Sequence, residues 1–190
     1  MRRSGHLFRD GMTAFAFLAL TALLALKMNN GPELIQTGNF YVVDGDTLAQ
    51  NGERFRLLGI DAPEYRQECE HGGVNWACGE AARDALGKLM KAGEVECRGR
   101  ERDRYGRLLV TCHAGATDVN SEMVRSGMAV SYGGYTAEEA MARQAKAGLW
   151  AGNFEKPRDY RRDERDQHMQ TNDPLAGLFD DLREAIGWSR

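Results

Sequence analysis

The chain has no surplus of positive charge: 25 Lys and Arg stand against 28 Asp and Glu, a formal net charge of −3. A broad electrostatic platform for polyanions is therefore excluded, and any polyanion site must be local and helped by a cation. The balance is +2 over residues 1–37, −2 over 38–158 and −3 over 159–190. There is no internal repeat, which excludes a solenoid. No C-x2-4-C knuckle occurs, since Cys69, Cys78, Cys97 and Cys112 are separated by 8, 18 and 14 residues, and zinc finds little support. Nor is there an uncharged apolar run of the roughly 20 residues that a membrane span requires. At 190 residues the chain suits one domain with extensions.

The longest apolar run, the 15 residues from Met12 to Leu26, follows Arg2, Arg3 and Arg9. A basic head before an apolar middle is the pattern of a signal peptide or anchor over residues 1–30. No A-x-A-like cleavage pattern follows Leu26, so an uncleaved anchor leads, with a cleaved signal and a buried core helix as alternatives. The arginines would keep the N-terminus in the cytoplasm and the domain outside, in the cell envelope, periplasmic or secreted.

The cysteines agree with export. If 93–103 and 107–114 form a hairpin around "DRYG", facing residues have numbers summing to about 209, which puts Cys97 opposite Cys112. Cys69 and Cys78 would then close a short loop. Disulfides lead over free thiols and metal.

Residues 31–38, with Gly31-Pro32, read as a linker before a domain over 39–153. Strands are expected at 39–44, 46–51, 53–60, 94–103 and 107–114, with Asn51-Gly52 as a hairpin turn. Residues 61–76 read as a loop. Helices are expected after Cys78, around "VNSEMVRSGM", and from Thr136, where Glu139 would complete a capping box. Five strands with three packed helices form an α+β, mainly β, protein: a five-stranded Greek-key barrel of the OB type. Residues 154–190 form a charged extension, in which "DPLAGLFDDLREAIGW" has one amphipathic face from Leu175 to Ile186.

Residues 41–64, "YVVDGDTLAQNGERFRLLGIDAPE", place Asp44, Asp46, Asp61 and Glu64 at two turns with Arg56 on the strand between them. Either turn alone is ordinary Asp and Gly chemistry. The hairpin returns the third strand beside the first, so both acid pairs are expected at one sheet edge, where they repel unless a cation or arginine sits among them. Carboxylates and a backbone carbonyl suit a hard divalent cation such as Ca2+, with Asp46, Asp61 and the Ala62 carbonyl as ligands. Arg56 is expected on the face of Leu58 and Ile60, offering its fork to a carboxylate or a phosphate. Arg98, Arg100, Arg102 and Arg104 alternate along a strand, either as a binding stripe or as a solvated edge, and Arg107 is expected opposite Arg102. Glu64 is placed to act as a general base.

"VVDGDT", "FRLLGIDAPE", "DRYGR", "VNSEMVRSGMA" and "GLW", in this order over residues 40–150, resemble the staphylococcal nuclease-like (thermonuclease) family. "FRLLGIDAPE" with "DRYGR" at this separation is the specific part. The resemblance implies an OB-fold, Ca2+-dependent endonuclease that hydrolyses DNA and RNA to 3′-phosphate products. It makes Asp46, Asp61 and Ala62 the metal ligands and Arg56, Glu64 and Arg107 the catalytic residues, with Asp44 behind the ligands. Tyr105 falls beside the nucleotide phosphate, and Tyr132 and Tyr135 are candidates for base stacking. The loop "YRQECEHGGVNWACG" departs from the lysine-rich loop of the type member. A monomer acting on nucleic acid, tethered through its N-terminus, is expected. The alternatives are a noncatalytic OB-type nucleic-acid-binding module and an envelope accessory protein linked to exopolysaccharide production.

Overall fold

A computed structural model describes residues 4–29 and 32–171. The amphipathic helix expected at the C-terminus lies outside the described residues.

Helix α1 (Ser4–Asn29) leaves Met12, Phe15, Phe17, Leu18, Leu20, Leu23 and Leu24 exposed, so the run is not a core helix. Among the described residues, no helix is long and apolar enough to cross a membrane.

The main sheet is built from β1 (Leu34–Thr37), β2 (Tyr41–Val42), β3 (Thr47–Gln50), β4 (Glu53–Leu57), β8 (Val95–Arg102), β9 (Leu108–Ala114) and β10 (Thr117–Asp118). Its order is β1-β8-β9-β4-β3-β2, with β10 on β9. The remaining strands make two small pairs: β5 (Ile60–Asp61) with β11 (Val130–Ser131), and the hairpin of β6 (Cys69–His71) and β7 (Val74–Trp76). Helices α2 (Cys78–Leu89), α3 (Val119–Arg125) and α4 (Thr136–Ala145) complete the α+β OB fold. A 3-10 turn over Gly148–Ala151 and α5 (Pro157–Thr171) follow.

Alternation explains the core. Phe55 and Leu57 of β4, Leu48 of β3, and Leu108 and Val110 of β9 point inward, and α2 and α3 cover them with Ala82, Leu86, Val119, Met123 and Val124. Asn51 and Gly52 adopt φ of 52° and 82°, the I′ hairpin their sequence demands. Asn120, fully buried, accepts the Cys112 N–H and donates to the Leu58 and Val110 carbonyls, fastening α3 to β9 and to the turn after β4.

Cys97 and Cys112 face each other in the β8–β9 ladder, and both expected disulfides, Cys97–Cys112 and Cys69–Cys78, are formed. The Cys69–Cys78 bridge belongs to a second small core with Val130 and Leu149, against which Trp76, Trp150 and Phe154 pack.

Five expectations need correction. The 31–38 segment contains β1, paired antiparallel with β8, and four residues are too few to show a period. The 61–76 loop contains the β6–β7 hairpin, whose strands of three residues are likewise too short. The strand expected to run to residue 60 turns at Leu58-Gly59, so Leu58 is exposed while Ile60 enters the core and does not share the face of Arg56. A register shift between Gly99 and Arg102 sets Arg102 opposite Leu108 rather than Arg107. Thr136 is not a capping residue: Tyr135 occupies that place at φ 57°, and Glu139 accepts the Ser131 N–H instead.

Candidate active site

The Asp44–Thr47 turn delivers the first carboxylate. Asp44 Oδ1 accepts the Asp46 N–H at 3.0 Å, an Asx turn that directs the next acid inward. Asp46 is 3% exposed. Its Oδ1 accepts the Thr47 hydroxyl at 3.0 Å and Arg56 Nη1 at 2.6 Å, and its Oδ2 accepts the Ala62 N–H at 3.1 Å. Asp61, also 3% exposed, comes from β5 and takes Arg56 Nη2 on Oδ1 at 2.6 Å. Arg56 therefore bridges the two acids. It can do so because β4 lies beside β3, where Arg56 faces Thr47 across the ladder.

Glu64 sits in the loop after β5. Its N–H donates to Gln67 Oε1 at 3.2 Å, and its carbonyl accepts the Gln67 N–H at 2.8 Å. Gln67 is fully buried and donates Nε2 to the Glu155 carbonyl at 2.7 Å. Helix α2 closes tightly on this loop: a Cβ at Gly79 would lie 1.8 Å from the Glu64 carbonyl oxygen, so only glycine fits.

Arg107 adjoins the acids through Thr47, with Nη1 3.4 Å from Oγ1. Asp103 fixes its guanidinium, accepting Nε at 2.8 Å and Nη2 at 2.7 Å. Tyr105 is exposed beside it, with the Arg107 guanidinium 5.5 Å from the ring centre. Tyr132 is exposed, whereas Tyr135 is half-buried and packs against the main core. Burial and the neighbouring Asp118 push the Tyr135 hydroxyl up to about 12. Of the two readings of the arginine stripe, the solvated one is favoured: Arg98, Arg100 and Arg102 pair at the surface with Glu96, Glu33 and Glu53. Their surface pairing is that of a solvated face, although β8 lies between β1 and β9 rather than at the sheet's edge.

The structure adds Arg161, from α5. Its Nη2 donates to Asp61 Oδ1 and Oδ2 at 2.9 and 3.0 Å, and its Nη1 to Glu64 Oε1 at 2.7 Å. In "KPRDYRRDERD" it is one arginine of a charged run, and no periodicity singles it out.

The electrostatics follow from burial. Burial pushes the Asp46 carboxyl up to about 7, against the pull of Arg56 and with the help of Asp44 and Asp61. Burial weakens the charge of Arg161, but the hydrogen bond to Glu64 and the charge of Asp61 outweigh it and hold the guanidinium more firmly protonated. Arg56 behaves likewise against Asp46 and Asp61. Among the described residues, no group of three or more His, Cys, Asp or Glu is disposed around a metal position. Guanidinium groups fill the space between the acids. The donor set still fits a hard cation: two buried carboxylates beside a buried Ala62 backbone already gather positive charge, and every donor is oxygen.

The family model described as "Staphylococcal nuclease homologue" matches residues 54–152, the span from Arg54 through Arg56, Asp61, Glu64 and Arg107 to the 3-10 turn. The chain is 34% identical to the succinoglycan biosynthesis protein ExoI of Rhizobium meliloti, over 78% of its own length and 83% of the relative's. It is 35% identical to an uncharacterized endonuclease of Escherichia coli O157:H7, over 58% of its own length and 73% of the relative's. It is 34% identical to a micrococcal nuclease of Shigella flexneri, over 64% and 77% respectively. With the specific motifs in place on an OB fold, the chain belongs to the staphylococcal nuclease family of phosphodiester-hydrolysing enzymes.

Proposed function

We propose that the protein is a Ca2+-dependent endonuclease that cleaves DNA and RNA to 3′-phosphate products outside the cytoplasmic membrane, its apolar N-terminal segment serving as leader or tether. The observation that supports it best is that Arg56 joins Asp46 to Asp61 and Arg161 joins Asp61 to Glu64, so that the three acids gather at one place, with Arg107 adjoining through Thr47.

Asp46, Asp61 and the Ala62 backbone would hold the cation, which when bound supplies positive charge against a phosphate oxygen. Glu64 is the general base: its carboxylate takes the proton of a water whose oxygen bonds to phosphorus. The P–O5′ bond breaks, the 5′-oxygen leaves and collects a proton, and the phosphate stays on the 3′ side. Arg56 and Arg107 meet the charge that develops on the phosphoryl oxygens, each typically contributing about 3 kcal/mol. Asp103 holds Arg107 ready for that contact. Tyr105 and Tyr132, exposed near this edge, suit sequence-tolerant contact with single strands. The two disulfides and the basic-then-apolar N-terminus support export, because disulfides persist in oxidising compartments. The likeness to a succinoglycan biosynthesis protein supports an envelope accessory role as the second reading.

The test is cleavage of single-stranded DNA and of RNA by the full chain, with Ca2+ and then with EGTA. Hydrolysis should vanish in EGTA and fall by about 10²–10⁴ in Glu64→Gln. Binding without cleavage by the unsubstituted chain would instead favour a noncatalytic module, and no interaction at all the accessory role.

A further inference from the structure

We propose that Arg161 is an intramolecular competitor of the divalent cation: α5 parks a guanidinium on Asp61 and Glu64, and the cation enters by displacing it. The inference rests on the reading of Asp46 and Asp61 as cation ligands, and goes beyond it by assigning a control element to the C-terminal extension.

The geometry is specific. Arg56 leaves Asp61 Oδ2 free, but Arg161 Nη2 spans both Asp61 oxygens, at 2.9 and 3.0 Å, and covers the approach a cation would use. The same guanidinium takes Glu64 Oε1 at 2.7 Å, so that oxygen is engaged when no cation is present. One arginine thereby blocks a ligand and the base together. Its charge also removes the repulsion between Asp61 and Glu64 that a cation-free site would otherwise suffer.

The latch is built to release. Between residues 157 and 166 only Pro157 is buried; Asp159, Tyr160 and Arg161 are half-buried, and the rest face solvent. Over residues 157–166, with so little apolar burial, α5 is held mainly by the Arg161 bonds, and just before the helix the chain is anchored by Phe154 on the second core and by the Glu155 carbonyl on Gln67. Such an element belongs to the low-stability end of a fold, where local opening is easy. It also lies beyond residue 152, where the match to the family model ends. A divalent ion brings two charges to the oxygens that Arg161 meets with one, so displacement favours the ion once it is abundant.

The experiment is a calorimetric Ca2+ titration of the full chain without substrate, comparing the unsubstituted protein with Arg161→Gln and Arg161→Lys, each checked for folding by circular dichroism. Arg161→Gln should bind Ca2+ about tenfold more tightly, the lower end of what charge-assisted hydrogen bonds contribute at a partly exposed site. Arg161→Lys keeps the charge without the fork and should fall between the two. Equal or weaker binding by Arg161→Gln than by the unsubstituted chain overturns the proposal and leaves the cation site standing. If none of the three binds Ca2+, the cation site itself is wrong, and the competitor with it.

Discussion

Replacing Arg56 by Ala tests whether the two buried acids depend on it. Its side chain is 17% exposed, and those of Asp46 and Asp61 are 4% exposed. Removing one partner of a buried pair typically costs about 3–5 kcal/mol, because the remaining charge stays desolvated. Here the cost should fall to about 2–3 kcal/mol, because Asp61 keeps Arg161 while Asp46 keeps the Thr47 hydroxyl and the Ala62 N–H. The pH dependence has a definite sign. Asp46 titrates near 7 in the folded chain against an ordinary 3.8, so its favourable contribution is full below about 4 and is lost as pH rises through about 7. Without Arg56 the pull toward ionisation is gone, and the penalty at pH 8 grows further. Urea unfolding in EGTA should therefore show a larger loss at pH 8 than at pH 5. Ca2+ at about 100 times its Kd should return roughly 2.7 kcal/mol to either protein. A loss below about 1 kcal/mol, or one equal at the two pH values, would refute this account of the site.

Cys97→Ala with Cys112→Ala opens a bridge between residues 15 apart and should cost about 3 kcal/mol in urea unfolding under non-reducing conditions. Gln67→Ala removes the bracket between the Glu64 loop and Glu155; a buried polar network broken on one side should lose about 1–3 kcal/mol, and turnover should fall with it. Asp103 lies below the usual carboxylate range because the Arg107 and backbone hydrogen bonds outweigh its burial, so the stability it contributes is present above pH 3.8 and lost as pH falls further. Asp103→Asn should flatten the acid limb of stability between pH 2 and 4, and a limb as steep as the parent's would contradict that role.

The main sheet was legible wherever a segment was long enough to show its period. Leu48, Phe55, Leu57, Leu108 and Val110 alternate visibly, and the Cys97–Cys112 pairing follows from hairpin arithmetic because the register shift comes only after Gly99. Short elements were not legible. Neither Leu34–Thr37 nor the β6–β7 hairpin has residues enough to declare a face, and their partners are set by the tertiary fold. "HGGV" did carry a two-residue turn signal, since Gly-Gly is hairpin chemistry. In the site, the acids and Arg56 were readable because one hairpin links them within 20 residues. Arg161 was not, since its partners are 97 and 100 positions away and its neighbours are equally charged.

The charge distribution accounts for the cation proposed at this site. Asp44, Asp46, Asp61, Glu64 and Asp103 set five carboxylates against the three guanidinium groups of Arg56, Arg107 and Arg161, in a chain whose overall charge is also negative. Without a further cation the edge repels a phosphodiester, and no remote basic field draws one in. A divalent ion that takes the place of Arg161 lowers the local excess from two negative charges to one, so substrate capture should follow ion binding. Arg161 gives the cation-free protein a way to wait: its one charge keeps Asp61 and Glu64 together until two charges replace it. The acids that would repel a phosphate in the absence of the ion are the same groups proposed to hold the ion, and the arginine that pairs with Asp61 and Glu64 comes from α5, beyond the span matched by the family model.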